Sequence, residues 1–221
     1  AALRVLHVRF PCVATVFIVV RAIVDLTRST VKHVWITKGT VYFYGMRILS
    51  IETSCDETAL ALLSCEGDVQ APACSVVSTA LYSQAKDHAV YGGVFPMLAR
   101  REHGKNLVPL LKKIVTETQN TVESPVSLDE ETKEKVRGIF LKEKDLGEQF
   151  LEYIPTIPKP DIDAIAVTEG PGLEPALWVG ITFAKALSYI WNIPLIPVNH
   201  MEGHFLSVLA QEKNQALGGA A

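Results

Sequence analysis

From Met46 onward the chain runs through three strand-like segments, then a long helical one, then helix and strand by turns. That order narrows the fold more than any composition does. RILSIETS alternates like a half-buried strand, a short CDE turn follows, and TALALLSC reads as a second strand. EGD supplies hairpin chemistry before VQAPACSVVSTAL, a third strand interrupted by proline. Leu98, Leu107, Leu110, Leu111 and Ile114 recur at helical spacing and predict a helix from about Val94 to Thr116.

Further on, DIDAIAVTEGPG reads as a buried-type strand entering a Gly-Pro-Gly turn. Leu177 to Trp191 is predicted as a helix, PLIPVNH as a short strand, and MEGHFLSVLAQEK as a last helix. The resulting order, βββαβαβα, is that of an α/β, ribonuclease-H-like lobe, the repeating half of the actin, hexokinase and Hsp70 ATPase superfamily. Residues 117–160 differ in being strongly charged. There Ser127 followed by Glu130 forms a capping-box signature, and Val136, Phe140, Leu146, Phe150 and Leu151 mark one or two amphipathic helices. IPTIPKP closes the stretch, which is expected to be an insertion on the surface of the lobe.

Residues 1–45 show no settled period and carry six Lys and Arg against the single acid Asp25. They are expected to be an atypical extension, either upstream sequence read in frame or poorly ordered. The alternative is an extra β-rich element, since VFIVV and TVYFY have high strand propensity. The lobe is expected over 46–209, and 210–221 as a truncated tail. The run CVATVFIVV is broken by Arg21 and is too short to span a bilayer; Arg4 and Arg9 precede it, but no small-residue cleavage site follows. Cys12, Cys55, Cys65 and Cys74 have neither CxxC spacing nor density, which argues against a disulfide scaffold or a thiolate zinc site and favours a reducing, cytoplasmic setting. The net charge of −3 lacks the basic excess of a stand-alone nucleic-acid binder, so RNA contact would need a local patch or a partner.

The chemistry concentrates in two short stretches. In HMEGH, His200 and His204 lie one helical turn apart, so both imidazoles project from one face and can meet one ion. Glu202 points elsewhere around the helix, unlike the general base of HExxH peptidases. Only 17 residues follow His204, with no His, Asp or Cys, so a third ligand must come from elsewhere, either Asp56 or sequence outside this chain. In ETSCDET, the acids Glu52, Asp56 and Glu57 stand with Thr53, Ser54 and Thr58 around the first hairpin turn, where this fold class faces its cleft; the alternative is a polar turn capped by its own side chains. YGGVFP and EGPGLEP both precede helices and either offer backbone N–H groups to an anion or make tight turns only. His88, Arg100, Arg101 and His103 suggest a mildly basic face for RNA phosphate or a solvated helix surface.

Four stretches in order, RILSIETSCDETALAL, SQ followed by HAVYGGVFPMLARREH, DAIAVTEGPGLEPALWVGITFAKALS, and IPVNHMEGH, resemble the TsaD family. The resemblance covers about Met46 to Leu209 apart from the charged insertion. It implies a two-lobed, ATP-grasping fold and transfer of a threonylcarbamoyl group from threonylcarbamoyl-AMP to adenosine 37 of tRNAs that read ANN codons. It further implies that His200 and His204 ligate one divalent ion, iron or zinc, that Asp56, with Glu57 beside it, is the assisting acid, and that TsaB-like and TsaE-like proteins are partners, with no membrane. Glu174 and Pro175 depart from the small residues common in the family, and the family's Ser-Gly-Gly nucleotide loop and late metal-binding Asp lie beyond the sequence given. The chain is therefore expected not to catalyse transfer unaided. Two other readings stand beside this one: a non-catalytic, TsaB-like pairing subunit, which would lack the histidine pair, and a metallopeptidase.

Overall fold

The computed structural model describes residues 34–37, 40–68, 72–118, 121–125 and 127–204. Its main sheet is built from β1 (Val34–Thr37), β2 (Thr40–Glu52), β3 (Glu57–Asp68), β4 (Pro72–Ser83), β7 (Ala164–Gly170) and β8 (Leu195–Asn199). The spatial order is β4-β3-β2-β7-β8, with β1 paired to the start of β2. β2, β3 and β4 form an antiparallel meander, and β7 and β8 join parallel to β2. This is the ribonuclease-H-like arrangement expected from the element order. A short second sheet pairs β5 (Thr121–Pro125) with β6 (Pro158–Pro160). The helices are α1 (Ala85–Ala89), α2 (Pro96–Thr118), α3 (Glu130–Ile139), α4 (Lys144–Tyr153) and α5 (Glu174–Trp191). Residues 200–204 are helical, and the rest of the expected last helix lies outside the described residues.

Strand β2 begins well before Met46. TVYFY pairs with β1 in register Trp35↔Tyr42, and a bulge between Phe43 and Met46 contains Gly45 at φ +65. Only a residue without a Cβ takes that conformation cheaply, and the extra residue lets the strand carry on past it. Within the stretch read as an extension, the described residues are therefore β structure, the alternative that its strand propensity allowed. Residues 1–33 lie outside the described residues, as does the tail from residue 205.

One core joins the sheet to its helices. Leu49, Ile51, Leu60, Leu62, Ile165 and Val167 from the strands meet Leu107, Leu111 and Ile114 of α2 and Val179, Phe183, Leu187 and Trp191 of α5. Each such side chain taken fully out of water contributes roughly 1.5–3 kcal/mol. The charged stretch 117–160 is more than a surface insertion, since Val136, Phe140, Leu146, Phe150 and Ile154 enter this same core. Phe150 packs tilted against Phe140 at 5.2 Å and edge-on against Phe183 at 5.7 Å. The expected capping box at Ser127 is also displaced: α3 is capped by Asp129, whose carboxylate accepts from the Thr132 N–H at 2.8 Å. Asp is as good a cap as Ser, and it sits directly before the first helical residue.

Cys65 and Cys74 form a disulfide across β3 and β4, against the expectation of unpaired thiols. The strands run on to Asp68 and resume at Pro72, so the turn lies beyond EGD and the register sets the two cysteines opposite one another. Cys55 is free and exposed. Among the described residues no helix is long and apolar enough to cross a membrane.

Candidate functional site

Parallel pairing of β2, β7 and β8 brings their carboxyl ends to one edge of the sheet, the place where open α/β sheets hold ligands. Three turns meet there: ETSCDET after β2, EGPG after β7 and NHMEGH after β8. Asn199, the last residue of β8, accepts from the N–H groups of Met201 and Glu202 at 2.9 and 3.2 Å and so starts the helical turn that carries the histidines. Glu202 is exposed.

His200 and His204 come together as their spacing predicts, with Nε2 to Nε2 at 2.9 Å and the rings edge to face. The other nitrogen of His200, Nδ1, lies 3.3 Å from Glu52 Oε2 and 3.2 Å from Ser54 Oγ. A carboxylate only accepts, so Nδ1 carries the proton toward Glu52, and Nε2 is left to face His204. Glu52 itself is buried and held by the Ser54 N–H at 2.5 Å and the Thr168 hydroxyl at 2.5 Å. Burial alone would raise its carboxyl pKa, but the hydrogen bonds from His200, Ser54 and Thr168 outweigh it and leave the pKa lowered. His200 is raised from its ordinary value by the Glu52 contact, against the opposing pull of burial.

Glu52 is the acid that the sequence reading left among the turn residues. Asp56 and Glu57 lie further round the same turn and are half-exposed, and the Asp56 carbonyl accepts from the Gln84 N–H at 2.8 Å. Among the described residues no three His, Cys, Asp or Glu side chains converge on one point. What the donor set does fit is two imidazoles of a divalent site, one of them backed by a buried carboxylate that fixes its tautomer and raises its basicity.

The EGPG turn packs against ETSCDET instead of standing open. The Leu173 N–H donates to the Ser54 carbonyl at 2.8 Å, and a Cβ on Gly172 would come within 2.7 Å of that oxygen. Thr53 donates to the Ala176 carbonyl at 3.0 Å, and a Cβ on Gly180 would collide with the Thr53 hydroxyl. Glu174 and Pro175 open α5, where an acid suits the positive helix end and a proline lacks only an N–H without a helical partner. The Phe95 N–H at the start of α2 is likewise taken, by His88 Nδ1 at 3.3 Å.

These four groups do not form one basic face. His88 and His103 are buried, Arg100 is held by Glu143 at 2.7 Å and the Lys142 carbonyl at 2.7 Å, and Arg101 pairs with Glu102. Nearness in sequence suggested a shared face, but two of the four, one on α1 and one on α2, are buried.

The TsaD family model, described as tRNA N6-adenosine threonylcarbamoyltransferase, matches residues 75–125 and 149–217, more than half of the chain. Among solved structures, YeaZ from Pseudomonas aeruginosa matches with 15% identity and a TM-score of 0.35, over 70% of this chain and 44% of that one. The chain thus spans less than half the length of that structure.

Proposed function

The chain belongs to the TsaD family, the tRNA N6-adenosine threonylcarbamoyltransferases, and on that premise we propose that its histidine pair and β2–β3 turn form one wall of the transfer site. The observation that carries this reading is the pairing of His200 Nε2 with His204 Nε2 at 2.9 Å, with Glu52 on the far nitrogen of His200. The substrate is threonylcarbamoyl-AMP, and the acceptor is the exocyclic amine of adenosine 37 in tRNAs that read ANN codons.

In this reading His200 and His204 would hold a divalent ion, iron or zinc, which would supply Lewis-acid polarisation when bound. The work of this chain's own residues is more local. Glu52 keeps His200 in the tautomer that presents Nε2 as a donor, and Thr168 and Ser54 hold Glu52 in place. Asp56, with Glu57 beside it, accepts the proton that the amine gives up as the new C–N bond forms and the bond from the carbamoyl carbon to the AMP phosphate oxygen breaks.

TsaB-like and TsaE-like proteins are the proposed partners, and the cytoplasm the proposed setting. The test is threonylcarbamoyl transfer from threonylcarbamoyl-AMP to tRNA by the chain together with those partners. Transfer that depends on the chain and is lost in His200→Ala supports the reading. Transfer that survives loss of both histidines overturns it.

A further inference from the structure

A second pair of histidines, not used above, lies behind the turn. His103 of α2 is completely buried, and its Nε2 is 3.1 Å from the Cys55 carbonyl. Its Nδ1 is 2.7 Å from the Thr58 hydroxyl and 3.2 Å from Gln84 Nε2. Gln84, also completely buried, has its Oε1 at 3.0 Å from His88 Nε2, and His88 Nδ1 faces the Phe95 N–H.

The donor directions in this network follow from its two ends. A carbonyl oxygen only accepts, so His103 Nε2 carries a proton. A backbone N–H only donates, so His88 Nδ1 is bare and His88 Nε2 carries the proton. That proton goes to Gln84 Oε1, which turns the Gln84 NH2 toward His103. Nδ1 of His103 is then an acceptor whose one lone pair is shared between the Thr58 hydroxyl, at 2.7 Å, and the Gln84 amide, at 3.2 Å. Both ring protons and the Gln84 amide meet acceptors, and no buried charge is needed. The opposite orientation of Gln84 would require His103 to be charged while completely buried and would leave both nitrogens of His88 bare. Burial holds its pKa down to about 4 despite the Cys55 carbonyl and the neighbouring carboxylates of Glu52 and Asp56.

The network ends on two consecutive carbonyls. His103 holds that of Cys55, and the backbone N–H of Gln84 holds that of Asp56. Those carbonyls belong to the peptide planes on either side of Asp56. Each plane is rigid, so fixing both fixes φ and ψ at Asp56 and with them the direction of its Cα–Cβ bond.

We propose that His103 is a positioning residue, a neutral Nε2-protonated imidazole that, with Gln84, clamps the peptide planes flanking Asp56 and so aims its carboxylate into the transfer site. The functional part of this rests on the role given to Asp56 above, whereas the clamp itself does not.

The test is NMR of the full chain. In the wild type, the imidazole 15N shifts of His103 should be those of a neutral Nε2–H ring and stay constant where an ordinary histidine titrates. The Asp56 amide should be as rigid as the sheet, with an order parameter of about 0.85. In His103→Phe, which keeps the ring and loses the bonds, that value should fall below about 0.6 while β2 and β7 are unchanged; His103→Gln, which donates and accepts at similar reach, should restore it. An Nδ1–H or charged ring in the wild type overturns the proposal without recourse to any variant, as does a folded His103→Phe chain in which Asp56 stays rigid. If Asp56→Asn leaves transfer unchanged, the role of Asp56 fails and the clamp survives.

Discussion

Gly180 lies in the interior of α5, where replacing glycine by alanine ordinarily stabilises a helix by about 1 kcal/mol. Here the sign should reverse. A Cβ at this position collides with the Thr53 hydroxyl and lies 3.2 Å from its methyl carbon. Thr53 is buried and cannot swing aside without giving up its hydrogen bond to the Ala176 carbonyl. Overpacking of a close-packed site costs roughly 1–3 kcal/mol, and the lost hydrogen bond adds about 1. Set against the helix gain, Gly180→Ala should destabilise the protein by about 1–3 kcal/mol. Gly104 in α2 is the control: nothing lies within 4 Å of an added Cβ there, so Gly104→Ala should stabilise by about 0.5–1 kcal/mol. Urea denaturation read by far-ultraviolet circular dichroism separates the two, and Thr53→Ala should rescue Gly180→Ala because the helix still satisfies the Ala176 carbonyl. If Gly180→Ala proves as stabilising as Gly104→Ala, the close approach of α5 to the β2–β3 turn is wrong.

Two further outcomes follow from the same geometry. Gly147→Ala, in α4, should also destabilise, by about 1–2 kcal/mol in the same assay, because its Cβ would sit 2.8 Å from that of the buried Phe140, too near the backbone to yield. His103 gives a pH dependence: its pKa is about 4 folded against 6.5 for an ordinary histidine, so the unfolded chain binds a proton between those values that the native protein refuses. Stability should therefore be complete above about pH 6.5 and fall toward pH 4, by an amount of order 2–3 kcal/mol, and the fall should be shallower in His103→Gln when urea midpoints are compared.

The sheet order was legible because period-two and helical segments alternate cleanly from Met46 on, and short connections leave few ways to join them. The pairing of His200 with His204 was legible for the same reason, since i and i+4 share a helix face whatever surrounds them. The role of Glu52 was not, because it comes from β2 and β8 ending at the same edge of the sheet, with β7 between them, across 148 residues of sequence. Its position near the end of the first predicted strand, just before the CDE turn, was the available signal. His88 and His103 looked like part of a basic face because spacing gives proximity and says nothing about which side a helix buries. The pairing of Cys65 with Cys74 was hidden by placing the hairpin turn at Glu66 to Asp68, which shifts the register and sets other residues opposite Cys65.

Titration of the full chain with zinc or ferrous ion under anaerobic conditions tests the histidine pair most directly. One ion should bind per chain, about 10–100-fold more weakly in Glu52→Gln, and not measurably when His200 and His204 are both alanine. A wild-type chain that binds no ion, or a double-alanine chain that binds as the wild type does, would contradict the assignment of this edge of the sheet as a metal-assisted transfer site.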